Sequence, residues 1–87
     1  MATFPLENIV TMSARDWCET QGVRLSDYQP IGIHHCGQEQ YPLGMESFAN
    51  QAPKGTIIIT DFHSSMTDTR IGNPSYEAHG TALVLKS

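Results

Sequence analysis

Charge is scarce in this chain. Only 16% of its 87 residues are Asp, Glu, Lys or Arg, well below the quarter usual in soluble domains. The five basic residues, Arg15, Arg24, Lys54, Arg70 and Lys86, are scattered from end to end. With a formal net charge of −4, no basic stripe exists to neutralise phosphates, which argues against nucleic acid as a partner. Cysteine is scarcer still. Cys18 and Cys36 are too few for a disulfide framework and do not form a C-x-x-C pair, so both are expected as reduced thiols. No apolar run approaches the roughly 18 residues needed to cross a bilayer, so no membrane partner is expected. The opening "MATFPLENIV" shows neither a basic stretch nor a long apolar core of the signal-peptide kind. A cytoplasmic location is the corresponding expectation.

What remains is a globular balance, 39% apolar with abundant uncharged polar residues. It fits one α+β domain over residues 1–87. A chain of this size buries only about 60–65% of the surface its unfolded form exposes. Association into a homo-oligomer would supply further burial.

Elements follow from spacing. Leu6, Ile9, Val10, Ala14, Trp17 and Cys18 recur at three- and four-residue steps, which predicts a helix with a buried Trp17 and Gly22 at its end. A competing reading starts the helix at Ser13, with Asp16 three residues on, and leaves the β-branched "NIVTM" extended. Over 13–21 the two readings agree. In "VRLSDYQPIGIHHCG", Ile31, Ile33 and His35 alternate with Gly32 and His34, as in a short, partly covered strand. "YPLGMESFANQAPKG" returns to helical spacing through Tyr41, Met45, Phe48, Ala49 and Ala52, with Pro42 near the start and Pro53 and Gly55 closing it.

"TIIITDF" and "YEAHGTALVLK" read as two strands, apolar on both faces near one end. Between them "SSMTDTRIGNPS", with Asp68, Gly72, Asn73 and Pro74, reads as a long hairpin loop. The expected order is α-β-α-β-β. Antiparallel pairing of Ile58 with Val84 and Phe62 with Gly80 would put Ile57, Ile59, Asp61 and His63 on one face with Leu85, Leu83, Thr81 and His79. A hairpin apolar on both faces needs two covers, and a second copy of the chain is an economical way to provide one.

"MESFANQAPKGTIIITDFHSS" followed by "YEAHGTALVLK" resembles the C-terminal half of the YbjQ-like family of small bacterial proteins. The shared features are a helix, a glycine before an apolar strand, a variable loop and a closing strand with a Gly-Thr-Ala step. The resemblance covers residues 43–86. It implies an α+β fold, ring assembly and the heavy-metal-binding label that family carries. The ending is also similar to that of short periplasmic stress-response domains.

Chemistry-bearing residues gather in "HHCG" and near the hairpin. His34, His35 and Cys36 offer donors of the types zinc and copper take. Alternation lets His34 and Cys36 converge while His35 faces away. Asp61, His63 and His79 are the available complement, which makes His34, His35, Cys36, Asp61, His63 and His79 the candidate ligand-binding set. A thiolate–imidazole pair built on Cys36 would instead serve a small cysteine hydrolase or transferase. Asp61, Glu39, Glu46 and Glu77 could pair as carboxylates, but nothing in the sequence sets their separation. The expectation is an oligomeric module that binds a small ligand or a metal ion. No cofactor and no catalytic role are expected. A purely protein-binding module using the hairpin edge is the further alternative.

Overall fold

The computed structural model describes residues 4–38, 43–68 and 74–86. Two helices and a three-stranded antiparallel sheet follow one another in the order α-β-α-β-β. Helix α1 spans Ala14–Gln21. The Ser13 hydroxyl accepts a hydrogen bond from the Asp16 amide, satisfying one of the orphan donors of the first turn. Gly22 ends the helix in the left-handed conformation at φ 71°, its N–H returning to the last turn. The longer helix reading is thereby corrected. Residues 6–8 form a single 3-10 turn, Ile9 is extended, and the chain bends at 11–12 before α1. Backbone groups of Val10 and Met12 are used by the sheet: the Val10 amide donates to Ile59 O at 2.9 Å, and Asp61 and Phe62 donate to Met12 O and Val10 O. A helix there would have surrendered these bonds.

Strand β1 spans Tyr28–Gly37, β2 Thr56–Asp68 and β3 Pro74–Leu85, in the spatial order β1-β3-β2. Pro30 lies in the edge strand β1, where a missing N–H is tolerated. The expected long loop is shorter, because β2 continues through "SSMTD" to Asp68 and β3 already begins at Pro74. Pairing supplies the backbone hydrogen bonds there whatever the side chains. Gly72 and Asn73 lie outside the described residues, as do Tyr41 and Pro42. Helix α2 is accordingly described over Leu43–Ala49.

The expected register is also corrected. Val84 faces Thr56, and Ile58 faces Leu83. Two register shifts, between Thr56 and Ile58 and between Thr60 and His63, each insert one extra residue into β2. The first extra residue lets the isoleucine run divide three ways. Ile57 is left exposed, Ile58 turns to one face with Leu83, and Ile59 turns to the other with Ala82. Ile59 therefore does not share the Leu83 face. The second shift brings His63 opposite His79, as expected.

Each face has its own cover. Cys18, Trp17 and Ala14 of α1 pack with Val10 and Tyr28 over Ile58 and Leu83. Trp17 is half-buried, edge-on to Tyr28 at 5.9 Å between ring centroids. On the opposite face Phe48 packs with Ile59, Tyr76, Ala78 and Ala82, joined at the margin by Ile31, Ile33 and Phe62. The small β3 residues let α2 approach. A Cβ on Gly80 would strike Ile59 and the Phe48 ring, and one on Gly44 would overlap the Tyr76 ring. Both covers thus come from the chain itself, and the burial argument for a second copy loses its ground.

Candidate functional site

Helix α1 covers only the Leu83 end of its face. Beyond Thr81 that face is open, and the register decides what stands on it. His34 of β1, His79 of β3 and His63 of β2 form one row across the sheet. The next row is Cys36, Glu77 and Ser65. Residues directly opposite in an antiparallel pair project to the same side.

Within this grid the His34 Nε2 lies 3.2 Å from the Glu77 carboxylate oxygen Oε2, and His79 Nε2 lies 3.7 Å from the same atom. The two imidazoles stack at 4.5 Å between centroids with 22° between planes. Their Nε2 atoms thus both lie beside one oxygen. Among the described residues this is the group of three potential metal ligands whose donor atoms lie within 4.8 Å of one another. The His34 and His79 side chains are each 51% exposed and that of Glu77 46%, so the group is open to solvent.

Zinc–nitrogen and zinc–oxygen bonds of about 2.0–2.2 Å at tetrahedral angles imply donor–donor edges of about 3.3–3.6 Å. The two nitrogen–oxygen distances bracket that range. Two imidazoles and a carboxylate are also a donor set suited to zinc and its divalent neighbours. The nearly parallel rings must tilt toward each other for both lone pairs to reach one ion, a rotation that half-exposed side chains can make.

Comparison with protein-family models, curated proteins and solved structures finds no match to this chain. The site stands on its geometry.

The remaining candidates divide. Cys36 is exposed, on the same face as His34 and opposite Glu77, with its Sγ outside the convergent group. His63 shares the row of His79, but its donor atoms are not in the convergent group. His35 points the other way, half-buried, opposite Ala78 on the α2 side. Asp61 is engaged elsewhere. It sits at the second register shift with φ 57°, and its Oδ2 accepts from the Ala14 amide at 3.2 Å and the Thr60 hydroxyl at 3.0 Å. It caps α1.

Glu77 is the residue that the ligand-binding set omitted. Its signal is in "YEAHG", where alternation puts Glu77 and His79 on one face of one strand. What was not readable is that β1, rather than β2, brings the second histidine to the carboxylate. Of the other carboxylates weighed for pairing, Glu46 belongs to α2 on the opposite side of the sheet, and Glu39 lies outside the described residues.

Proposed function

We propose that the protein is a binding module that holds one divalent transition-metal ion, of the zinc class, on the open face of its sheet. His34, Glu77 and His79 are the ligands, and the role is binding rather than catalysis. The observation that carries this reading is the placement of two imidazole nitrogens at 3.2 and 3.7 Å from one carboxylate oxygen, close to the edges of a coordination tetrahedron. An ion at this position would use three protein donors and leave a further position to be filled.

Calorimetric titration of chelator-treated protein with Zn2+ tests the reading. One ion per chain is expected, with uptake lost in the His34→Ala, His79→Ala double variant. No heat of binding with Zn2+ at tens of micromolar protein would refute it. Both substitutions are on the exposed face, and circular dichroism checks that the fold is retained.

Homo-oligomerisation is a separate part of the reading. With both faces covered from within the chain, the support for it is the outer edge of β1, which has no strand partner among the described residues. Light scattering coupled to sizing is expected to give a dimer or larger species, and a monomer at tens of micromolar would refute it.

A further inference from the structure

The structure points to a fourth donor. We propose that Cys36 completes the His34–Glu77–His79 site through its thiolate and makes it selective for thiophilic ions such as Zn2+, Co2+ and Cd2+ over Mg2+ and Ca2+. The inference rests on the metal-binding reading and adds to it the identity of the remaining ligand.

The argument is the geometry of one cell of the sheet. His34 pairs with His79, and Cys36 pairs with Glu77. These four residues are therefore the corners of a single cell between β1 and β3. Cross-strand neighbours have Cβ atoms about 4.5–5.5 Å apart, and residues two apart on a strand are separated by about 6.5–7 Å. Four side chains leaning inward from such corners meet above the cell centre. Three already do, since the donor atoms of His34, Glu77 and His79 lie within 4.8 Å of one another. Cys36 holds the fourth corner with an exposed free thiol; its Sγ does not lie within 4.8 Å of all three donors in this structure, so the side chain must turn about χ1 to approach an ion from below while the longer imidazoles reach it from above. His63 and Ser65 are the outer corners of the neighbouring cell, across β3. Of the two histidines, it is His34 that lies nearer the carboxylate oxygen, which places the ion over the β1–β3 cell and leaves His63 aside.

A sulfur donor changes which ions are held. Carboxylate and imidazole alone accept a wide range of divalent ions, whereas a thiolate favours the softer ones and contributes little toward Mg2+ or Ca2+. On binding, the S–H bond gives up its proton to water as the metal–sulfur bond forms, so a further proton is released per ion.

Cobalt(II) titration under reducing conditions tests the proposal, since a cobalt–thiolate bond has a near-ultraviolet charge-transfer band that nitrogen and oxygen ligands do not produce. The wild-type protein is expected to show the band and the visible absorption of a four-coordinate site. Cys36→Ser is expected to lose the band while still taking up cobalt, and to bind Zn2+ at least about tenfold more weakly, the lower end of what even a supporting partner costs a metal site. His63→Ala is expected to keep band and affinity. Cobalt uptake by the wild type without the band, or a band that survives in Cys36→Ser, would overturn the fourth-donor assignment and leave the three-ligand reading standing. Absence of uptake by the wild type would overturn both.

Discussion

Replacing Asp61 tests whether the second register shift of β2 is built as the structure has it. Three costs are separable there. The carboxylate accepts from the Ala14 amide at the first turn of α1, a capping bond of a kind worth about 1 kcal/mol. It also accepts from the Thr60 hydroxyl. Thr60 is fully buried, and its other acceptor, Thr81 O, is at 3.4 Å, so losing the carboxylate costs about 1 kcal/mol more. Finally, φ at Asp61 is 57°, a left-handed conformation that costs an ordinary L-residue roughly 1–2 kcal/mol and that Asp, Asn and Gly tolerate better. Asp61→Ala incurs all three and should destabilise by about 2–3 kcal/mol, allowing for incomplete additivity. That corresponds to roughly 10–20 °C in Tm for a domain of this size. Asp61→Gly loses both hydrogen bonds but relieves the backbone, so about 1–2 kcal/mol is expected. Asp61→Asn keeps an acceptor and should cost under about 1 kcal/mol, mostly the lost charge at the helix terminus. Urea and thermal unfolding followed by circular dichroism give the ranking. A glycine variant no more stable than the alanine variant would refute the left-handed assignment, and equal stability of all three with the parent would refute the cap. Zinc uptake should be unchanged in each, because Asp61 stands outside the ligand group.

Gly44→Ala reverses the sign expected from helix propensity. Alanine in a helix interior is favoured over glycine by about 1 kcal/mol, yet here its Cβ would overlap the Tyr76 ring, so a loss of about 1–3 kcal/mol is expected from forcing α2 off the sheet. An increase in Tm would show that the helix does not approach so closely. Cys18 supplies a pH dependence. Burial beneath α1 pushes its thiol above the ordinary value, so as pH rises the unfolded chain deprotonates first and the folded state holds the extra proton. Stability is then lost as pH rises through the window between the two values, and this contribution is absent below it. Cys18→Ala should flatten that alkaline slope in urea melts, and an unchanged slope would show that the thiol is not desolvated.

What the sequence made legible was local. Ser13 with Asp16, and Gly22 at the other end, mark α1 because capping depends on neighbours in the chain. Alternation in β1 separated Ile31, Ile33 and His35 from Gly32, His34 and Cys36 correctly. The failures were tertiary. Residues 9–12 have helical spacing but were claimed by the backbone of β2 at Ile59, Asp61 and Phe62. Three consecutive isoleucines gave no sign of which would bulge. "SSMTD" reads as loop because its side chains are polar and small, yet on an open face nothing requires them to be apolar. The strand order β1-β3-β2, on which the site depends, has no local signature at all.

The site itself was nearer to being readable than its omission of Glu77 suggests. Two half-sites are explicit in the chain, His34 with Cys36 and Glu77 with His79, each a pair two residues apart and so on one face of its strand. Given that the two strands are neighbours, burial then fixes which faces match. Ile31 and Ile33 must lie on the side that carries Tyr76, Ala78 and Ala82, because that side meets α2. The polar residues of both strands are thereby driven to the same side, and a slip by one residue would bury them. Only slips by two remain. Such a slip in one direction would set His34 against Glu77, and in the other Cys36 against His79. In either case donors from the two half-sites still meet across the strands. Convergence of these donors is therefore a consequence of strand adjacency and burial, insensitive to the finer register, whereas the place of His63 opposite His79 depends on the second register shift in β2, where Asp61 is turned to Ala14 and Thr60.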